Sequence, residues 1–275
     1  MMLKSLLFQV RPKVFAPAWR RMAFVVIFIV ISLSCHSQKA DSIKRVTHFS
    51  GSVNVTNNGI SLVPNFSLGK PAVIVNLSAG NGRLSFDPDI RFSLSAKPWT
   101  MLFWLRYKAV NSGRFRLRTG AHLGLNYKIS SVPIGGDNVE ANIVRRYLAA
   151  EVVPQYLINE KIRAGLYYLY SYGLDAGTVG NTHFLVFNTS FSDIKISKQL
   201  VARFTPQVYY LKQDARQGTY FTSSLNIGKK DFPLSIEGFI NQRLGGNILG
   251  SKNFTWSASL IYTFNKRFIP GPHEL

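Results

Sequence analysis

Residues 254–264 read F-T-W-S-A-S-L-I-Y-T-F. Phe254, Trp256, Ala258, Leu260, Tyr262 and Phe264 fall on one side of an extended chain. Thr255, Ser257, Ser259 and Thr263 fall on the other, with Ile261 as an apolar intruder. Side chains alternate across a strand with a period of two, so this stretch has an aromatic, greasy face and a small polar face. That division suits a strand standing between lipid and a polar lumen.

The same alternation recurs along the chain. Candidate strands lie near 46–56, 60–68, 72–79, 84–96, 99–109, 114–128 and 143–157. Further ones lie near 161–174, 182–193, 199–212, 218–228, 233–243 and 253–264. The count is odd, whereas bacterial single-chain barrels carry even numbers, so one candidate is spurious. The weakest lie within 46–79, where Pro64, Gly69 and Pro71 interrupt the pattern. The expected fold is all-β: an antiparallel up-and-down transmembrane β-barrel of about twelve strands, with ten or fourteen as alternatives.

The hairpin at 99–128 is the clearest. Trp99, Met101, Phe103, Leu105 and Tyr107 share a face opposite Thr100, Leu102, Trp104, Arg106 and Lys108. After the turn Asn111-Ser112-Gly113, the polar positions become Arg114, Arg116, Arg118, His122 and Lys128, against Phe115, Leu117, Leu123 and Tyr127. The stretch 129–142, with Pro133 and Gly135-Gly136, reads as an extracellular loop, since outer loops are longer than periplasmic turns. The tail 265–275, with Pro270, Gly271 and Pro272, reads as irregular.

The N-terminus points to export. Arg20 and Arg21 precede the apolar run Ala23 to Leu33, and small residues follow at Ser34, Cys35 and Ser37. A basic region, a short apolar core and a small-residue cleavage site make a signal peptide, assigned to 1–37, with Met22 as an alternative start. The run is shorter than the roughly 20 residues of a transmembrane helix. The barrel is then 38–264. Cys35 is the only cysteine, and Ser32-Leu33-Ser34 before it fits a lipidation site poorly, so the exported part has no disulfide framework.

Composition narrows the partners. Charged residues make up 17% of the chain, low against the roughly 25% usual for soluble domains. The formal charge is +20, and the five bases before Gln38 leave the exported part strongly basic. No nucleic-acid recognition motif accompanies that charge. Lipopolysaccharide phosphates and anionic solutes are the expected partners, together with the barrel-assembly machinery through the C-terminal strand. No cofactor is expected.

The elements Val55-Thr56-Asn57-Asn58-Gly59-Ile60-Ser61, Phe66-Ser67-Leu68-Gly69-Lys70-Pro71-Ala72 and Gly82-Arg83-Leu84-Ser85-Phe86 resemble a family of uncharacterised Bacteroidota outer-membrane proteins. The last strand, ending on Phe264, is similar to the C-terminal signature of bacterial outer-membrane barrels. These resemblances imply a barrel and a location, and no activity.

The candidate site is the basic row Arg106, Lys108, Arg114, Arg116, Arg118, His122 and Lys128, joined by Arg91, Arg163 and Arg203. A lipid-facing Arg costs about 2–4 kcal/mol at the membrane midplane, so these side chains belong in the lumen or at its rims. One reading is a ladder lowering the energy of anions in a narrow pore. Another is a structural zipper in which Asp87, Asp89, Glu151 or Glu237 neutralise the arginines and plug the interior. A third sets rim arginines against lipid phosphates. His48-x-Ser50 would supply a base and a nucleophile for a lipid hydrolase. His122 and His183 lack partners at metal-ligand spacing. Tyr167, Tyr168, Tyr170 and Tyr172 read as an interfacial belt or a sugar-binding surface.

Overall fold

The computed structural model describes residues 47–134 and 137–268. The signal peptide assigned to 1–37, with Cys35, and the last part of the tail lie outside the described residues. Twelve antiparallel strands each pair with their sequence neighbours: β1 Thr47–Thr56, β2 Ala72–Asn81, β3 Leu84–Ser93, β4 Pro98–Ser112, β5 Phe115–Ile134 and β6 Asp137–Leu157. They continue as β7 Ile162–Gly173, β8 Asn181–Lys195, β9 Leu200–Gln213, β10 Arg216–Lys229, β11 Leu234–Gly246 and β12 Phe254–Phe268. Pairing of β1 with β12 closes the barrel. Closure removes every sheet edge, so all ladder groups are satisfied without an outside partner.

Gly51 makes the seam possible. It sits opposite Phe264, and a Cβ there would lie 2.8 Å from the Phe264 ring and 2.5 Å from the Asn76 carbonyl oxygen. Phe49 packs beside the same ring at 5.5 Å.

Alternation sorts the side chains as expected over most of the wall. Leu105, Ile236 and Trp256 on the outer face are 54%, 64% and 53% exposed. They belong to an apolar surface that continues around the strands, far beyond the few hundred Å² that soluble monomers leave uncovered. Such a surface requires an apolar phase to cover it.

Thr47 and Phe268 mark one end, where tight turns such as Gly82-Arg83 and Gly113-Arg114 join strands. Gly82 and Gly113 supply φ values of 62° and 50°, the left-handed conformation that such turns require. The other end carries the longer connections. In one of them Asp175 accepts from the Arg146 backbone and guanidinium, both at 2.6 Å. The side-chain hydrogen bond from Arg146 holds the Asp175 carboxyl below the ordinary carboxylate range.

Four departures from the sequence reading have local causes. The candidate strand at 60–68 is absent; the chain there forms a single 3₁₀ turn, Pro64–Phe66, within the β1–β2 connection. The loop expected at 129–142 is a continued hairpin, paired from Ile129 with Asn142 to Ile134 with Asp137. The tail is not irregular from 265: β12 continues to Phe268, where it pairs with Thr47. Finally, Trp99 points inward. A register shift between Arg91 and Phe92 adds a residue on β4, so Trp99 and Thr100 are both buried, 2% and 7% exposed.

Trp99 meets the β1–β2 connection. That segment is tied internally by Gly59 N–H to Lys70 oxygen and Leu68 N–H to Gly59 oxygen, each 2.8 Å. It folds into the bore. The Trp99 indole donates to the Phe66 carbonyl at 2.7 Å, and Gln213 donates to Asn65 at 3.2 Å. Phe66 packs edge-on to Tyr147 at 5.1 Å. Leu62 and Val63 pack on a cluster that includes Phe184, Val186, Tyr209, Leu211 and Tyr220. Its partners lie on β4, β6, β8, β9 and β10, so the segment crosses the lumen.

Trp99→Phe should keep the ring packing and lose the bond to Phe66. One such bond contributes about 1 kcal/mol net, so amide hydrogen exchange at Gly59 and Leu68 should quicken about fivefold while β10 and β11 remain unchanged.

Candidate functional site

The inner faces of β3 to β6 form a charged belt. Arg106 on β4 faces Gly120 on β5, and Gly120 faces Glu151 on β6, so three residues share one row. Gly120 contributes no side chain, and Arg106 and Glu151 meet across the gap. A Cβ at Gly120 would lie 3.0 Å from Arg106 Cγ and 3.3 Å from Glu151 Cγ. Arg106 Nε donates to Glu151 Oε1 at 2.9 Å, and its Nη1 donates to Asp87 Oδ2 at 3.2 Å. Arg118 approaches the same Glu151 oxygen at 3.2 Å. The Glu151 side chain is fully buried. Arg106 also lies over the Trp104 ring, 4.3 Å from its centroid, a cation–π contact.

The belt continues to both sides. Asp89 holds Arg91 through two bonds of 2.8 and 2.6 Å. Asp87 accepts from Ser78 at 2.6 Å and Ser85 at 3.1 Å, and Ser78 in turn bonds His48 Nε2 at 3.1 Å. His48 is therefore engaged with Ser78 on the neighbouring strand rather than with Ser50. The pairing a hydrolase would need is not formed.

The basic residues occupy three levels rather than one row. Arg91, Arg106 and Arg118 are ion-paired at mid-height. His122 is buried against Trp104, with ring centroids 4.1 Å apart. Lys108, directly across from Arg118, joins Arg116 and Arg163 on the inward alternation toward the Thr47 end, and all three are exposed. Arg114 sits in the β4–β5 turn beyond them. Arg203 shares a chamber of about 570 Å³ with Glu237 and Asp193. Lys128 lines a chamber of about 800 Å³ at the opposite end with Arg145, Arg216 and Lys252. The lower and upper basic groups have no ion-pair partner among the described residues.

A third chamber, of about 340 Å³, lies between the β1–β2 segment and the charged belt. Neither it nor the segment above it was legible in the sequence, because apolar Leu62 and Val63 look like strand residues. Tyr168, Tyr170 and Tyr172 follow the outward alternation, with Tyr168 bonded to His183 at 2.9 Å. Tyr167 lines the inner chamber.

No protein-family model matches the chain, and no curated protein matches it. Among solved structures, the KdgM porin in complex with disordered oligogalacturonate is similar at 8% identity and TM-score 0.47, covering 79% of this chain and 99% of that one. The NanC porin matches at 11% identity and TM-score 0.47, over 78% and 98% of the two chains. An outer-membrane channel from Pseudomonas putida F1 matches at 10% identity and TM-score 0.45, over 83% and 100%. At these identities and scores no function passes from them to this chain.

Glu151→Gln removes the carboxylate shared by two arginines. Breaking a buried pair of this kind costs about 3 kcal/mol. The refolded barrel should unfold at a lower urea midpoint, and Gly120→Val, which fills the gap between Arg106 and Glu151, should shift it in the same direction.

Proposed function

We propose that the chain is an integral outer-membrane barrel that acts as a narrow, porin-like channel. The observation that carries this reading is the pairing of a continuous apolar exterior with a charged interior that opens into a chamber at each end. The apolar face matches a bilayer, and the chambers give solutes access to the bore from both sides. Bacteroidota-type membership and removal of the 1–37 leader belong to the same proposal, on the motifs from Val55 to Phe86 and the apolar run after Arg21.

Anion preference comes from the mouths in this reading. At mid-height each arginine of the belt faces a carboxylate, so the field there is nearly balanced. Lys108, Arg114, Arg116 and Arg163 at one end, with Lys128 at the other, leave uncompensated positive charge that concentrates anions before entry. The same rims offer cations to lipopolysaccharide phosphates, and β12 offers its exposed aromatic face to the assembly machinery.

A second reading, an occluded structural or lipid-interacting barrel, is favoured by one feature: the β1–β2 segment crosses the bore and is latched at Trp99 and Gln213. Planar-bilayer recording separates the two. A channel gives small, weakly anion-selective steps, and replacing residues 60–68 by a short Gly-Ser linker raises conductance several-fold. Lys108, Arg114 and Arg116 changed together to Gln should move the reversal potential toward zero. A folded barrel that stays silent even without the segment would establish the occluded form.

A further inference from the structure

At the end with the longer connections, two pairs of bases look at each other across the bore. Arg145 on β6 faces Asn126 on β5, and Lys128 stands two residues farther along the same inner face. Side chains in that diagonal relation are about 7–8 Å apart, close enough for one anionic group to lie between them. Arg216 opens β10, and Lys252 lies in the β11–β12 connection. In a ring of twelve strands β5 and β6 stand opposite β11 and β12. All four bases line one chamber of about 800 Å³. Lys128, Arg216 and Lys252 are exposed and Arg145 is half-buried, so a solute reaches each of them.

No carboxylate pairs with these bases among the described residues. Asp214 is the one acid on the lining, which leaves three positive charges in excess. Its two oxygens accept from the Gly180 and Asn181 backbone N–H groups at 3.0 and 2.8 Å, so it is turned to the β7–β8 connection. Beyond Lys128, a neighbouring pocket of about 370 Å³ adds Lys70 and Lys97 to its lining and no acid among the described residues.

The β1–β2 segment turns this mouth into a resting place. Asn65, Phe66 and Ser67 close the chamber toward the bore, and the bonds from Trp99 to Phe66 and from Gln213 to Asn65 hold them there. An anion drawn in by the field meets the segment between two basic walls. The Debye length is about 8 Å at physiological ionic strength, so a single charge held at one wall is largely screened from the other. An anion with negative groups at both ends is held by each wall. The volume falls in the range of clefts that take a drug-sized ligand.

We propose that this chamber binds a small, soluble, polyvalent anion that spans from Lys128 and Arg145 to Arg216 and Lys252. The proposal rests on the uncompensated mouths of the reading above and not on conduction.

Fluorescence anisotropy of pyrene tetrasulfonate, titrated with the refolded full chain in uncharged detergent at physiological ionic strength, tests it. Saturable binding is expected, displaced by the rigid tricarboxylate trimesate and not by benzoate at equal total charge. Lys128→Gln with Arg145→Gln should weaken binding about tenfold, and Arg216→Gln with Lys252→Gln should do the same. Lys229→Gln with Lys230→Gln removes equal charge at the β10–β11 turn of the opposite end and should leave affinity unchanged. Retained resistance to SDS unfolding shows that each variant is a closed barrel. Displacement by benzoate as effective as by trimesate would overturn the polyvalent class. A loss confined to one pair of bases would overturn the spanning pose, and equal losses in all three variants would overturn the location. A barrel that conducts with anion preference and binds no probe would overturn this site alone. One that binds the probe and stays silent in a planar bilayer would uphold the site without the channel.

Discussion

A closed sheet with a side-chain period of two has one place for a charge when its outer face is apolar, and that is inside. Everything in the interior follows from this constraint. The bases that alternate along β3 to β5 turn inward, and a low-dielectric bore penalises any of them left alone. Glu151 answers for two arginines, Asp87 for one of the same two, and Asp89 for its neighbour. The zipper weighed from the sequence describes the middle of the barrel. At the ends, where water replaces the missing partners, Lys108, Arg116, Arg163 and Lys128 stay without an ion-pair partner among the described residues.

The strands are legible because alternation is a strong signal over ten or more residues, and most of the eleven connections fall near Gly, Pro, Asn or Asp clusters or short polar turns. What alternation could not show were the places where its phase slips. One extra residue at the β3–β4 register shift turns Trp99 from the outer face to the inner one. The β1–β2 connection hides for the opposite reason: Leu62 and Val63 carry the composition of a strand and pack as a plug. The Arg106–Glu151 contact is separated by 45 residues. Its trace in the sequence is Gly120, a small residue in the middle of a strand, readable only once both registers are known.

These slips are where the functional features gather. The bulge that turns Trp99 inward gives the crossing segment its hydrogen-bond donor, and Gly124 opens the space beside His122. The interior is thereby divided into chambers of different character: a basic one beside Lys128, one of mixed charge around Arg203, Glu237 and Asp193, and an amphipathic one beneath the segment. A uniformly alternating barrel of this size would instead fill its bore evenly with side chains.

The central claim is that one face of each strand meets lipid and the other a polar lumen. Single cysteines introduced at successive positions from Leu117 to Leu125 of β5 and spin-labelled in a bilayer test it most directly, since the chain's only other cysteine, Cys35, precedes the barrel. Collision with oxygen should peak at Leu117, Thr119, Ala121, Leu123 and Leu125, and collision with a polar relaxant at the positions between them. A profile without this two-residue period, or with polar access on both faces, would contradict the account.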